Sequence, residues 1–152
     1  MPNVYGGERG EITHRERSQQ IVSWSGIRYG RITPSDIDGV TYGGTCFSPR
    51  GVIEYKARRW VFFEFKLKGA PILQKGQLRA FEELCLNLSS PSLFLMCEHE
   101  IYDPKKDIVA AETIVTSYFT TKWREPKSII TAKEASDAFI NKQPLEPCNQ
   151  PK

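Results

Sequence analysis

Apolar and charged residues alternate most clearly from Phe63 to Lys68, in the second part of the segment Trp60–Lys68. Side chains in a β-strand point alternately to opposite faces, so this segment predicts a strand with one apolar and one charged face. The apolar face consists of Phe63, Phe65 and Leu67. The charged face consists of Glu64, Lys66 and Lys68. The pattern predicts a strand that packs against a core on one side and presents a carboxylate and an ammonium on the other.

The segments on either side of this strand predict its neighbours. Val52–Lys56 has strand composition, and the short break Ala57–Arg59 predicts a hairpin between the two strands. Apolar residues recur at helical spacing from about Lys75 to Asn87. Leu93–Cys97 is a continuous apolar run, which is typical of a buried central strand.

Capping boxes predict two further helices, because the first and fourth side chains of such a box satisfy free backbone N–H groups at a helix start. Thr13 with Glu16 predicts a helix that runs to Trp24, and Thr131 with Glu134 predicts a helix over 132–141.

The remaining segments complete the predicted order of elements. Glu112–Trp123 has strand composition, whereas the Gly-rich Tyr42–Gly51 and the polar His99–Asp107 predict loops. The order is helix, about three strands, helix, two strands, helix. It predicts an α/β fold with a mixed central sheet flanked by helices.

Length and composition predict one globular domain over 1–142, followed by a Pro-rich, disordered tail over 143–152. No apolar run approaches the roughly 20 residues of a membrane span. The polar first ten residues lack the apolar core of a signal peptide, so we expect a cytoplasmic protein. The cysteines form no C-x-x-C pair, and Cys85 and Cys97 are predicted to be reduced core residues.

Positive charge is concentrated between Arg50 and Arg79, where eight basic and two acidic residues give a local net charge of +6 within a chain of net charge +3. Such a field suits a polyanion, because phosphate binding releases counterions. A solvated basic face without a ligand is the alternative. The candidate nucleic-acid-binding residues are Lys56, Arg58, Arg59, Lys68, Lys75 and Arg79.

A series of short motifs surrounds the charged strand. Pro34–Gly39 reads Pro-Ser-Asp-Ile-Asp-Gly, Phe63–Lys66 reads Phe-Glu-Phe-Lys, and Gly76–Gln77 opens the following helix. Over Ile32–Leu84, about a third of the chain, this series resembles the PD-(D/E)XK nuclease superfamily, which includes Holliday-junction resolvases, restriction endonucleases and phage nucleases. The resemblance implies a restriction-endonuclease-like fold and a phage or bacterial origin.

The resemblance also implies roles for individual residues. Asp38 and Glu64 match the two metal carboxylates of the superfamily, and the carbonyl of Phe65 matches a further metal ligand. Lys66 matches the catalytic lysine. Gln77 resembles a glutamine that orients the site in some members.

Some positions stay open within the resemblance. Asp36 competes with Asp38 for the first carboxylate. Some relatives add a glutamate from the first helix, a part that fits Glu16, with Glu11 as the alternative. Compact relatives lack the Tyr42–Gly51 segment, which is a candidate substrate contact.

The implied reaction is hydrolysis of phosphodiester bonds, with DNA as the expected substrate and Mg²⁺ or Mn²⁺ as the cofactor. Hard oxygen ligands hold such ions, which activate water and neutralise charge on the phosphate. A homodimer would allow both strands of a duplex to be cut.

Other functions compete with this one. A non-catalytic protein with the same fold would hold nucleic acid or a protein partner on its basic sheet, and an unrelated α/β interaction protein would carry the motif by chance. His99 with Glu98 and Glu100 suggests a further metal site, against the simpler interpretation as a polar loop. No nucleophile-elbow or phosphate-loop motif is present.

Overall fold

The protein is described by a computed structural model that covers residues 22–27, 40–42, 45–47, 50–54, 58–69, 75–103 and 105–146, with side chains from residues 22–27, 58–69, 78–103 and 105–146. The strands are β1 (Val22–Ser23), β2 (Val40–Tyr42), β3 (Thr45–Phe47), β4 (Arg50–Glu54), β5 (Trp60–Leu67), β6 (Ser92–His99), β7 (Ile108–Val109), β8 (Ile114–Phe119) and β9 (Trp123–Arg124). The helices are α1 (Lys75–Asn87), α2 (Ala132–Ile140) and a 3₁₀ turn (Ala110–Glu112). None of the helices in these ranges is long and apolar enough to cross a membrane.

The main sheet has five strands in the order β4-β5-β6-β8-β9. Strands β5 and β6 are parallel, whereas β4, β8 and β9 each pair antiparallel with their neighbours. A parallel pair needs a crossover connection, and α1 provides it. The prediction of an α/β fold with a mixed sheet is therefore confirmed. Two small sheets, β1 with β7 and β2 with β3, accompany the main sheet.

Both faces of the main sheet carry a core. On the first face, α1 covers apolar side chains of β5, β6 and β8: Phe62, Phe94, Met96 and Phe119. On the second face, α2 covers another set from the same strands: Val61, Phe63, Phe65, Leu93, Leu95, Cys97, Val115 and Tyr118. Burial on two sides explains why β6 is apolar from Leu93 to Cys97 without alternation.

Helix α1 has the predicted bounds, Lys75–Asn87. Its predicted apolar stripe faces the sheet, with Phe81 and Cys85 buried. The Phe81 ring stacks on the Phe94 ring with 4.1 Å between centroids. This contact fixes the position of the helix along β6.

Helix α2 begins with the predicted capping box. The Thr131 hydroxyl accepts a hydrogen bond from the Glu134 N–H at 3.1 Å, and the Thr131 N–H donates to the Glu134 carboxylate at 2.8 Å. The helix ends at Ile140, one residue before the predicted end, and Lys142 follows with a φ of 57°.

Two sequence predictions about the first half of the chain are wrong. The first helix does not reach Trp24, because Val22–Ser23 pairs as a parallel strand with β7, and the Trp24 ring packs 5.5 Å from the Phe63 ring. The segment Tyr42–Gly51 is not a plain loop, since it contains β3 and the ends of β2 and β4. β-Branched and aromatic residues flank Gly43 and Gly44, and this composition favours a hairpin over a loop.

The predicted strand Glu112–Trp123 is divided in the structure. Glu112 ends a 3₁₀ turn, β8 covers Ile114–Phe119, and Trp123 belongs to β9, which returns antiparallel to β8. The predicted first helix from Thr13 to residue 21 lies outside the described residues. The division at residue 142 stays a prediction, although Leu145 packs against the second core and Glu146 accepts a hydrogen bond from the Tyr118 hydroxyl.

Truncation of Phe81 tests the first core. We expect Phe81→Ala to lower the free energy of unfolding by about 3–5 kcal/mol, because it removes a buried ring and leaves a cavity. Leu86→Ala is the matched control, since Leu86 lies on the same helix but is 53% exposed. Urea denaturation measures both. Equal losses in the two variants would contradict this account of how α1 packs.

The buried thiols provide a second test. Burial raises the pKa of Cys85 to about 11 and that of Cys97 to about 12, so both stay protonated at pH 8. In a Cys46→Ser, Cys148→Ser variant, we expect a disulfide reagent to modify these two thiols rapidly only after denaturation. Rapid modification of the native variant would contradict their burial.

Candidate functional site

Side chains on the α1 face of the sheet form three rows across β5, β6 and β8, as the strand register shows. Row one is Phe62, Phe94 and Phe119. Row two is Glu64, Met96 and Ser117. Row three is Lys66, Glu98 and Ile114. The rows change from apolar to charged in the direction in which β5 runs.

Helix α1 begins between row two and row three. Phe81 packs on Phe94 in row one, and the six residues from Phe81 back to Lys75 span about 9 Å of helix. Two further rows along the strands span about 13 Å. Leu78 therefore reaches row two, whereas the described part of the helix does not cover Lys66 and Glu98. The start of α1 leaves these charged side chains at the rim of the core.

Glu64 and Lys66 lie side by side on this face. The Lys66 ammonium is 3.6 Å from a Glu64 carboxylate oxygen. The Glu64 side chain is 16% exposed and the Lys66 side chain 36% exposed. A carboxylate so far removed from water needs a compensating charge, and Lys66 supplies one. The expected placement of a carboxylate and an ammonium on one strand face is confirmed, but Phe62 on the same face is a core residue and not part of a solvated surface.

The backbone of Phe65 is oriented toward β4. The Lys68 N–H donates to the His99 carbonyl at 2.9 Å, so the even-numbered residues of β5 direct their N–H and C=O groups toward β6. The carbonyl of Phe65, an odd-numbered residue, points the other way, while its side chain lies in the second core. Described pairing between β4 and β5 ends at Arg50 opposite Phe63, so the Phe65 carbonyl lies just past it.

Of the remaining predicted site residues, two belong to helix α1 and five lie outside the described residues. Gln77 and Lys75 belong to the first turn of α1, at the rim where Glu64 and Lys66 lie, and only their backbone is described. The positions outside the described residues are Glu11, Glu16, Asp36, Asp38 and Lys56. Their parts in the site stay predictions.

The predicted basic residues whose side chains are described do not form one continuous surface. Arg58 and Arg59 precede β5, and Lys66 lies seven positions after Arg59 along extended chain, a distance of roughly 23 Å. The Arg59 guanidinium lies 4.1 Å from the centre of the Phe139 ring of α2, at the second face of the sheet. Exposed Arg79 lies on α1 beside Leu78.

Lys68 continues the charged edge beyond Lys66 and pairs with a carboxylate. Its ammonium is 2.7 Å from the Glu100 carboxylate, and both side chains are exposed. The hydrogen bond and the charge of Glu100 raise the pKa of Lys68, and the hydrogen bond and charge of Lys68 lower the pKa of Glu100. Lys68 therefore offers a polyanion a partly neutralised charge.

Glu98 lies opposite Lys66 in the parallel register, on the same face as Glu64. The sequence interpretation grouped Glu98 with His99 and Glu100, and all three residues line one cavity at the end of β6. Strand alternation directs the His99 side chain to the opposite face from Glu98. His99 is buried on the second face, where its Nδ1 accepts a hydrogen bond from the Ile101 N–H at 3.1 Å. The sequence signal that could have assigned Glu98 to this face is alternation along β6, since Glu98 is two residues from Met96 and four from Phe94. Within the described ranges, no three His, Cys, Asp or Glu side chains lie close enough to hold a metal.

Comparison with known proteins provides no relatives for this chain. No family model, no curated protein and no solved structure matches it. The geometry of rows two and three therefore carries the functional interpretation.

Removal of the Lys66 charge tests the ion pair. We expect Lys66→Met to lower the free energy of unfolding by about 1 kcal/mol, because it removes the ammonium that compensates the mostly buried Glu64. Lys68→Met is the matched control, since its partner Glu100 is 63% exposed. Urea denaturation at neutral pH should rank Lys66→Met as the less stable variant. The reverse order would contradict the compensation.

Proposed function

We propose that this protein is a metal-dependent nuclease that hydrolyses phosphodiester bonds in DNA at the rim formed by β5, β6 and the start of α1. The observation that carries the proposal is the Glu64–Lys66 pair, with 3.6 Å between ammonium and carboxylate on a partly covered sheet face. A solvated strand would not hold a carboxylate at 16% exposure beside a hydrophobic core. A reactive site needs such partial exclusion of water.

The donor set fits Mg²⁺ or Mn²⁺. These ions prefer carboxylate and carbonyl oxygen ligands, and no thiolate or imidazole is needed. The Glu64 carboxylate and the Phe65 carbonyl are ligands of this type on adjacent residues of β5. Asp38 is the expected second carboxylate. The resemblance to PD-(D/E)XK nucleases assigns these same three positions.

Each residue has a distinct part in the proposed reaction. A bound divalent ion supplies a water of lowered pKa and neutralises charge on the phosphate. The Glu64 carboxylate would supply a hard oxygen ligand for this ion at the rim. Lys66 has three N–H donors and directs one toward the attacking water or the phosphate oxygen that gains charge. Gln77, in the first turn of α1, orients these groups.

The charges around row three also favour a metal-dependent reaction. The described side chains of rows two and three and of the residues just beyond them include two cations (Lys66 and Lys68) and three carboxylates (Glu64, Glu98 and Glu100). Their net charge is −1, so the side chains alone do not attract a phosphate. The free backbone N–H groups at the start of α1 add a partial positive charge. With a divalent ion held by Glu64, the net charge of these groups would become positive, and Lys66 would then face a site that favours phosphate binding.

A cleavage assay tests the proposal. Wild-type protein is incubated with labelled duplex, single-stranded, flap and four-way-junction DNA in Mg²⁺, Mn²⁺ or EDTA. We expect cleavage of at least one substrate in either metal and none in EDTA. We expect Glu64→Gln and Asp38→Asn to remove activity, and Lys66→Met to lower the single-turnover rate by about 10²–10³-fold.

Lys68→Met is the matched control, because Lys68 is two residues further along β5 and pairs with Glu100. It should keep most of the activity. Wild-type protein that cleaves no substrate in either metal would contradict the proposal. Equal losses of cleavage rate in Lys66→Met and Lys68→Met would contradict a specific catalytic role for Lys66. Metal-independent binding without cleavage would favour the non-catalytic alternative.

A further inference from the structure

A crevice of about 320 Å³ lies beside the proposed catalytic pair on the same face of the sheet. Row two forms its floor, since Met96 is the neighbour of Glu64 and Ser117 is the neighbour of Met96 in the strand register. The residues that line it are Leu78, Met96, Ser117, Trp123, Arg124 and Glu125. We refer to it as the Trp123 crevice.

One wall of the crevice is an aromatic ring held in place. The Trp123 indole N–H donates a hydrogen bond to the Glu82 carboxylate of α1 at 2.6 Å. The ring also packs at 81° against Phe94, with 6.0 Å between centroids, and lies 5.3 Å from the Phe119 ring. Because α1 and two strands hold it, this ring keeps its position without a ligand. A planar ligand would not have to order the ring on binding.

The crevice combines a floor of Met96 and the Ser117 hydroxyl with the aromatic wall of Trp123, and the charged residues Arg124 and Glu125 also line it. Its volume is at the lower end of the roughly 300–1,000 Å³ typical of small-ligand sites, which suits a single planar ring system and not a stacked base pair. Adjacent strands lie about 4.8 Å apart, so Ser117 is about two strand spacings from Glu64. A ligand here would therefore lie about one nucleotide from the proposed catalytic pair.

We propose that the Trp123 crevice binds one unpaired base of the substrate, next to the phosphate that is cut. Stacking on an aromatic side chain accepts any base, so the crevice selects for an unpaired base and not for a sequence. A base within a duplex is stacked on both sides and cannot enter. The inference rests on the proposed nuclease function and narrows its substrate to single-stranded DNA or to the unpaired part of a flap or frayed end.

The test combines a protein variant whose crevice is filled by a larger side chain with DNA strands that lack one base. Ser117→Leu places a larger side chain on the crevice floor, and Thr121→Leu is the matched control because Thr121 is exposed in the turn between β8 and β9 and does not line the crevice. Thermal unfolding verifies that both variants fold. Short single-stranded DNAs carry a fluorescent label and one abasic position, moved along the strand. Binding is measured by anisotropy in Ca²⁺ and cleavage in Mg²⁺.

We expect wild-type protein and Thr121→Leu to bind the intact strand about tenfold more tightly than the strand with its abasic position beside the cleaved bond. Ser117→Leu should bind both strands equally, at the weaker affinity. Equal binding of intact and abasic strands by wild-type protein, or no effect of Ser117→Leu, would overturn the crevice inference.

The two proposals fail in different ways. If wild-type protein cleaves strands with and without abasic positions equally well, the nuclease proposal stands and the proposal of a base-binding crevice is refuted. If the expected binding pattern is seen but no strand is cleaved, the proposal of a base-binding crevice stands and the nuclease proposal is refuted. A preference for duplex over single-stranded DNA in both assays would also overturn the base site.

Discussion

Eight residues of β5 lie in parallel register with eight residues of β6, and this pairing determines where the proposed site lies. Parallel strands cannot be joined by a short turn, so the chain leaves the carboxyl end of β5, returns along α1 and enters β6 at its opposite end. Phe81 anchors that return on Phe94. Because α1 starts between row two and row three, the far end of the sheet face is left for the charged residues Lys66 and Glu98. The crossover that builds the core therefore also creates the rim.

The rim combines two requirements that conflict. A strand buried on both faces favours uninterrupted apolar residues, and Val61–Phe63 meets this preference. Glu64 breaks it one residue later, at the boundary of the first core, and Lys66 compensates part of the cost. A protein selected only for stability would place an apolar residue at such a position. The charged pair is more easily explained by chemistry that needs a carboxylate and an ammonium in partly dry surroundings.

Local signals allowed much of the fold to be predicted, and long-range pairing explains most of the errors. The period of apolar residues gave the bounds of α1, and the capping box at Thr131 gave the start of α2. The hairpin of β2 and β3 was missed because its strands are only three residues long. In the site, Glu64 and Lys66 follow from alternation along one strand. Glu98 and the Trp123 crevice depend on the register between strands, which no single segment encodes.

Direct measurement of metal binding tests the central claim that Glu64 belongs to a metal site whose chemistry uses Lys66. Isothermal titration with Mn²⁺ would compare wild-type protein with Glu64→Gln and Lys66→Met. The account predicts that wild-type protein binds Mn²⁺, that Glu64→Gln loses this binding, and that Lys66→Met keeps it, because the lysine acts on substrate and not as a ligand. Equal binding by wild-type protein and Glu64→Gln, or no binding by wild-type protein, would contradict the account.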